Sequence, residues 1–170
     1  MTLKGKMYKK RDVGAHLHSD DPYLPRGGYK EPTVCPTCKA IYYNKKWALE
    51  EQLSFSLKKL GEFHYQKCPA CRKIEDRYPM GILHLSGKFL NEHKDELINL
   101  IRSEERRGRE KNPLERVIKI EEMKYGLNVE TTTESLALRL GRVLSRAYKG
   151  KIKYRFSQEE KLIRINWQRD

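Results

Sequence analysis

Cys35, Cys38, Cys68 and Cys71 are the only cysteines in the 170 residues, and they fall into two short turns, "CPTC" and "CPAC". In a C-x-x-C turn, backbone N–H groups point at the sulfurs. Two such turns bring four thiolates to tetrahedral convergence on a cation. With all four sulfurs engaged, no coordination position stays open for a substrate, so the expected centre is structural. Lys39 follows the first pair and Arg72 and Lys73 the second; such neighbours offset the surplus negative charge of four thiolates on a divalent ion. Zinc is the favoured metal, and a site of this type commonly contributes ~10–16 kcal/mol to folding. The alternatives are a rubredoxin-like iron centre and a metal-free set of reduced or disulfide-bonded thiols. The iron centre usually carries glycine after the second cysteine of each turn and an acidic surface, where this chain has Lys39, Arg72 and a basic surface.

Other chemistry is sparse. His16 and His18 lie in a basic N-terminal stretch, His93 in a polar part of a helix, and His64 and His84 near cysteines that need no further ligand. Neither G-x-x-x-x-G-K-[ST] nor G-x-G-x-x-G occurs, so a nucleotide-phosphate cradle is not expected. Asp20-Asp21 and Glu121-Glu122 read as charged surface. The expectation is a protein that is not an enzyme and takes no small-molecule substrate.

Composition points to a polyanionic partner. There are 36 Lys and Arg against 23 Asp and Glu, a net charge of +13. Hydrophobic residues make up 38% of the chain and charged residues 35%, a thin core that calls for a staple such as a metal. No run is apolar enough to span a membrane, and "MTLKGKMYKKRDVG" lacks the apolar core of a signal peptide, so a cytoplasmic location and no membrane partner are expected. In that reducing setting the cysteines favour metal over disulfides.

The elements that must position these residues suggest an α+β chain in four parts. Residues 1–32 carry Pro, Gly and scattered charge without apolar periodicity, as an extended basic arm would. Residues 33–87 form a four-cysteine, zinc-ribbon-like module, with "AIYYNKKWAL" and "GILHLSG" as strands and "LEEQLSFSLKKLG" as a short helix closed by Gly61. Residues 88–113 read as a linker helix with an apolar stripe of Leu90, Leu97, Leu100 and Ile101, an N-cap at Ser86 and a tail charged all round. Residues 114–170 predict a small two-layer ββαββ domain. Its helix carries Leu136, Leu140, Val143, Leu144 and Ala147 on one face, a capping box of Thr131 with Glu134, and a C-cap at Gly150. "KIKYRF" alternates, with Ile152, Tyr154 and Phe156 on one side and cations on the other; Ile163, Ile165 and Trp167 face the core.

Between positions 139 and 155 stand Arg139, Arg142, Arg146, Lys149, Lys151, Lys153 and Arg155, with no acid among them. The three arginines make a helical stripe, and with the strand cations they are expected to face one direction, toward nucleic acid. Lys9, Lys10 and Arg11 in the arm, near Tyr23, Arg26 and Tyr29, suit irregular RNA, as do Lys45 and Lys46 beside Trp47. Trp47 itself is expected in the core. RNA is preferred because no helix-turn-helix, Cys/His finger or basic zipper is evident.

The strings "EPTVCPTCKAIYY", "CPACRKIEDRYPMGILHLSG" and "TTTESLALRLGRVLSRAYKG" resemble a widespread prokaryotic family of small proteins with two CPxC turns. More distantly the chain is similar to the archaeal and eukaryotic export adaptor of the large ribosomal subunit, named after nonsense-mediated mRNA decay. The closer likeness spans about residues 20–170; the distant one rests on the doubled CPxC and the helix–AYKG–strand segment. It implies zinc on Cys35, Cys38, Cys68 and Cys71 and a ribosome- or RNA-docking role for residues 114–170. The chain departs from the adaptor in its shorter length, in Lys39 and Arg72 where glycine is usual, and in showing nothing like a nuclear-export tail, so export is not implied. The expectation is a zinc-stabilised, non-enzymatic RNA-binding protein that associates with the ribosome, through rRNA and ribosomal proteins. Its role would be hibernation, translation silencing or subunit assembly. A zinc-dependent DNA-binding regulator and a four-cysteine iron redox protein are the alternatives.

Overall fold

The computed structural model describes residues 21–170, so Lys9, Lys10, Arg11 and the two arm histidines lie outside the described residues. The cysteines sit beside a small sheet of β1 (Thr33–Val34), β2 (Ile41–Tyr43), β3 (Lys46–Ala48) and β4 (His64–Tyr65), in the order β3-β2-β1-β4. The two-residue turn Asn44-Lys45 joins β2 to β3 with φ of 51° and 60°, the left-handed pair that a tight hairpin requires. The Glu31 carboxylate accepts from both turn N–H groups, at 2.8 and 2.9 Å. The stretch expected as one short helix forms two 3-10 turns instead, Glu50–Gln52 and Leu57–Leu60. Neither buries a residue, and a short helix without a packed face is not stable in water. Helix α1 (Pro69–Asp76) follows β4 and ends at Arg77 in the left-handed conformation.

A five-stranded sheet holds the larger core. It comprises β5 (Gly81–Ser86), β6 (Val117–Met123), β7 (Gly126–Thr131), β8 (Lys151–Ser157) and β9 (Leu162–Gln168), in the order β6-β7-β5-β9-β8. Helices α2 (Lys88–Lys111) and α3 (Glu134–Tyr148) cover one face. The expected ββαββ unit is present, but its sheet takes its central strand from "GILHLS", the stretch read as closing the cysteine module. Leu83 pairs with Val129 and Ile165, and Leu85 with Leu127 and Trp167, all of them buried. Fully burying each such side chain contributes about 1.5–3 kcal/mol, which fixes the strand between β7 and β9. Helix α2 is therefore the crossover of a split βαβ unit, from β5 to β6 with β7 between them, and not a free-standing linker.

The helix faces follow the sequence periodicity. Leu90, Leu97 and Ile101 of α2 and Leu136, Leu140 and Leu144 of α3 pack over Ile163, Ile165 and Trp167. A Cβ at Gly141 would stand 3.0 Å from Ile152, so glycine lets α3 close onto the sheet. The caps differ from those expected. Thr133, not Thr131, accepts from Leu136 N at 3.2 Å, while the Thr131 and Thr132 hydroxyls donate to the carbonyls of Thr133 and Leu114. Gly87 stands at the start of α2 in place of Ser86, and Lys149 rather than Gly150 ends α3.

Residues 21–32, expected within a free arm, are docked. Tyr23 donates to Asp76 at 2.8 Å, and Tyr29 is buried with its ring 4.9 Å from Trp47 and 5.1 Å from Tyr42. Trp47 is buried, as expected of a core residue. The two units also touch each other. Lys73 of α1, 3% exposed, binds Asp21 and donates to the Thr132 carbonyl at 3.1 Å, and Leu114 packs against the cysteine cluster.

Candidate metal centre and nucleic-acid interface

The four sulfurs lie within 4.8 Å of one another, with no disulfide among them. Cys38 Sγ and Cys68 Sγ are 3.7 Å apart, the edge of a tetrahedron whose metal–sulfur bonds measure ~2.3 Å. The donor set fits a tetrahedral metal.

Its two halves are built differently. Cys35 and Cys38 occupy the turn between β1 and β2, closed by Cys35 N donating to Ala40 O at 2.8 Å and Lys39 N donating to Cys35 O at 2.9 Å. That closure holds Lys39 at φ 64°, a conformation glycine adopts freely and lysine does not. Cys68 and Cys71 instead open a helix. Cys68 is the N-cap of α1, Pro69 fills the first turn, and Cys71 N donates to Cys68 Sγ at 3.4 Å. Cys68 N in turn donates to Cys35 Sγ at 3.3 Å, tying the halves together. Arg72 has ordinary helical bonding, its N–H donating to Cys68 O at 3.1 Å, so glycine has no conformational advantage there. A ribbon layout with both pairs on strand turns does not form.

Hydrogen bonds from Cys68 and then Cys71 pull the Cys38 thiol far down, and the same bond to Cys38 pushes Cys68 up and Cys71 to about 12. The expected cationic neighbours contribute unequally. Lys39 Nζ donates to Pro36 O at 2.8 Å, Arg72 lies over the Tyr23 ring, and the Lys73 ammonium binds Asp21 and Thr132.

The seven cations of residues 139–155 do not share one direction. Arg139 is half-buried and engaged within the fold, with Nη1 2.6 Å from Glu115, Nη2 donating to Glu104 O at 3.1 Å, and both carboxylates buried. Glu104 belongs to the α2 tail, which is thus folded against α3 rather than solvated. Arg142, Arg146 and Lys149 are exposed on α3 and its end. Lys151, Lys153 and Arg155 are exposed on β8 and point to the sheet face opposite the helices, since the alternating partner Ile152 faces Gly141. Among the described residues none of these three makes an ion pair. Tyr154, on the helix side, is nevertheless 42% exposed because β8 is an edge strand. Lys45 and Lys46 are exposed on the β2–β3 hairpin.

Register identifies residues on the same open face that sequence reading passed over. Across from Lys153 and Arg155 stand Asn166 and Arg164, and then His84 and Ile82, with Asn128 and Glu130 beyond. The signal is the polar half of the alternation in "LIRINWQ" and "GILHLS".

Compared with known proteins, the chain matches no family model, no curated protein and no solved structure. Among the described residues no helix is long and apolar enough to cross a membrane.

Proposed function

We propose that this is a zinc-stabilised, non-enzymatic RNA-binding protein whose partner is the ribosome. The observation that carries the reading is the row Lys151, Lys153 and Arg155. It presents three exposed cations at alternate positions of an edge strand, on a sheet face where, among the described residues, no acid pairs with them and no helix covers them. Unpaired cations in a row are costly for folding through self-repulsion and useful for neutralising phosphates. Elsewhere acids meet the cations: Glu75 pairs Lys67, Glu122 pairs Lys94, and Glu104 and Glu115 hold Arg139. The tetrahedral sulfur set, which zinc suits, supports a structural role for the metal. Ribosome association comes from the sequence resemblance.

Cosedimentation at low salt tests the reading. The purified protein should travel with ribosomes and be released as salt rises; a protein that stays at the top of the gradient contradicts ribosome association.

A further inference from the structure

We propose that the open face of the five-stranded sheet docks double-helical RNA, with one phosphate strand along β8 and the sugar edges over β9 and β5; this rests on the RNA-binding reading above. The chemistry of the face is graded across the strands. Lys151, Lys153 and Arg155 line β8, and Arg164 joins them from β9, braced by Glu160 at 2.7 Å. The middle of the face is neutral and hydrogen-bonding, with Asn166 and Gln168 of β9 beside His84 and Ser86 of β5 and Asn128 of β7. His84 Nδ1 lies 2.7 Å from Asn128 Oδ1, and its ring rests against Gly126. On the far side Lys119 and Glu121 of β6 pair at 2.6 Å and Glu130 of β7 stands opposite Ile82, so the positive charge of the face is confined to the β8 flank.

Stacking of unpaired bases needs exposed rings. Among the described residues the strands of this face present no tyrosine, phenylalanine or tryptophan ring. Tyr154, Phe156 and Trp167 are turned to the helix side by the strand alternation, and the single imidazole is held by Asn128. Tyr125, 75% exposed, borders the groove under α2 together with Leu90 and Leu127, on the helix side. A broad, shallow surface with cations on one flank and amide groups in the centre suits instead the wide minor groove of A-form RNA. Proteins hold that groove through phosphates and 2′-hydroxyls. The amides at 128, 166 and 168 both donate and accept, as a 2′-hydroxyl does.

The test compares the full, metal-loaded chain against an RNA duplex of about 16–20 base pairs, the same strand unpaired, and the DNA duplex of the same sequence. The RNA duplex should bind about tenfold tighter than either competitor, and Lys153→Glu with Arg155→Glu should remove about tenfold of that affinity. These positions are exposed, so the variant's circular dichroism and metal content should match the parent. Tighter binding of the unpaired strand overturns the duplex assignment while leaving RNA binding intact, and equal binding of DNA overturns the 2′-hydroxyl contacts. Binding to none of the three overturns both this inference and the reading it rests on.

Discussion

The Arg139 guanidinium lies 2.6 Å from the Glu115 carboxylate, in a niche that exists because position 108 is glycine. A Cβ at Gly108 would stand 2.1 Å from Arg139 Nη2 and 2.4 Å from the Glu115 carboxylate. The pair, with Glu104, fastens the tail of α2 to α3, so this arginine is engaged in holding the fold.

Removing the guanidinium leaves buried Glu115 with only the Ser135 hydroxyl and buried Glu104 with only Arg107. Arg139→Ala should therefore cost about 1–3 kcal/mol in denaturant unfolding. Gly108→Ala should also destabilise, by about 1–3 kcal/mol, although alanine is the better helix former. Exposed Arg142→Ala should stay within about 0.5 kcal/mol.

Metal removal should unfold the cysteine module first. The chain has two tryptophans, Trp47 beside the cysteines and Trp167 in the sheet core. In a Trp167→Phe variant, chelation should shift the fluorescence to the red as Trp47 meets water. Competition with a colorimetric chelator should return about one metal per chain, and Cys35→Ser should abolish binding. Fluorescence unmoved by chelation would contradict a metal-dependent fold.

Lys39 is held at φ 64° in the first cysteine turn. Relieving that strain, Lys39→Gly should strengthen metal retention or stability by about 0.5–1 kcal/mol, despite the lost bond to Pro36 O. The comparable change at Arg72, inside helix α1, should destabilise by about 1 kcal/mol. Metal-competition titrations of both variants distinguish the two halves of the site.

Burial raises the Glu134 carboxyl from 4.5 to about 7, with Asp21 adding to the shift and Lys73 opposing it. The folded state thus holds the proton more tightly than the unfolded chain. Its contribution is fully present below pH 4.5 and is lost as pH rises through about 7. Glu134→Gln should flatten stability across that window and gain about 1–3 kcal/mol at pH 8. Unfolding midpoints of both proteins at pH 5 and pH 8, with metal saturating, give the comparison.

Local pattern carried the sequence reading well where a single periodicity decides. The apolar faces of α2 and α3, the inward Ile163, Ile165 and Trp167, and the convergence of four cysteines were all legible. Long-range pairing was not. Nothing within "GILHLSG" says that its neighbours are β7 and β9, because a strand buried on one face alternates alike in any sheet. Arg139 and Arg142 looked alike in a charge run, yet three residues of helix turn one toward the buried Glu104 and Glu115 and leave the other in solvent. Lys153 and Arg146 seemed to share a face because helix and strand are adjacent in sequence, but the strand alternation sends the lysine through to the other side of the sheet.

Reversal of the β8 row tests the central claim most directly. Binding of a ribosomal RNA fragment would be followed against salt for the parent chain and for Lys151→Glu, Lys153→Glu and Arg155→Glu combined. The account predicts at least about a tenfold loss of affinity and a log–log salt slope shallower by about 2–3, as three phosphate contacts disappear. Unchanged affinity and slope, in a variant that keeps its metal and its fold, would contradict it.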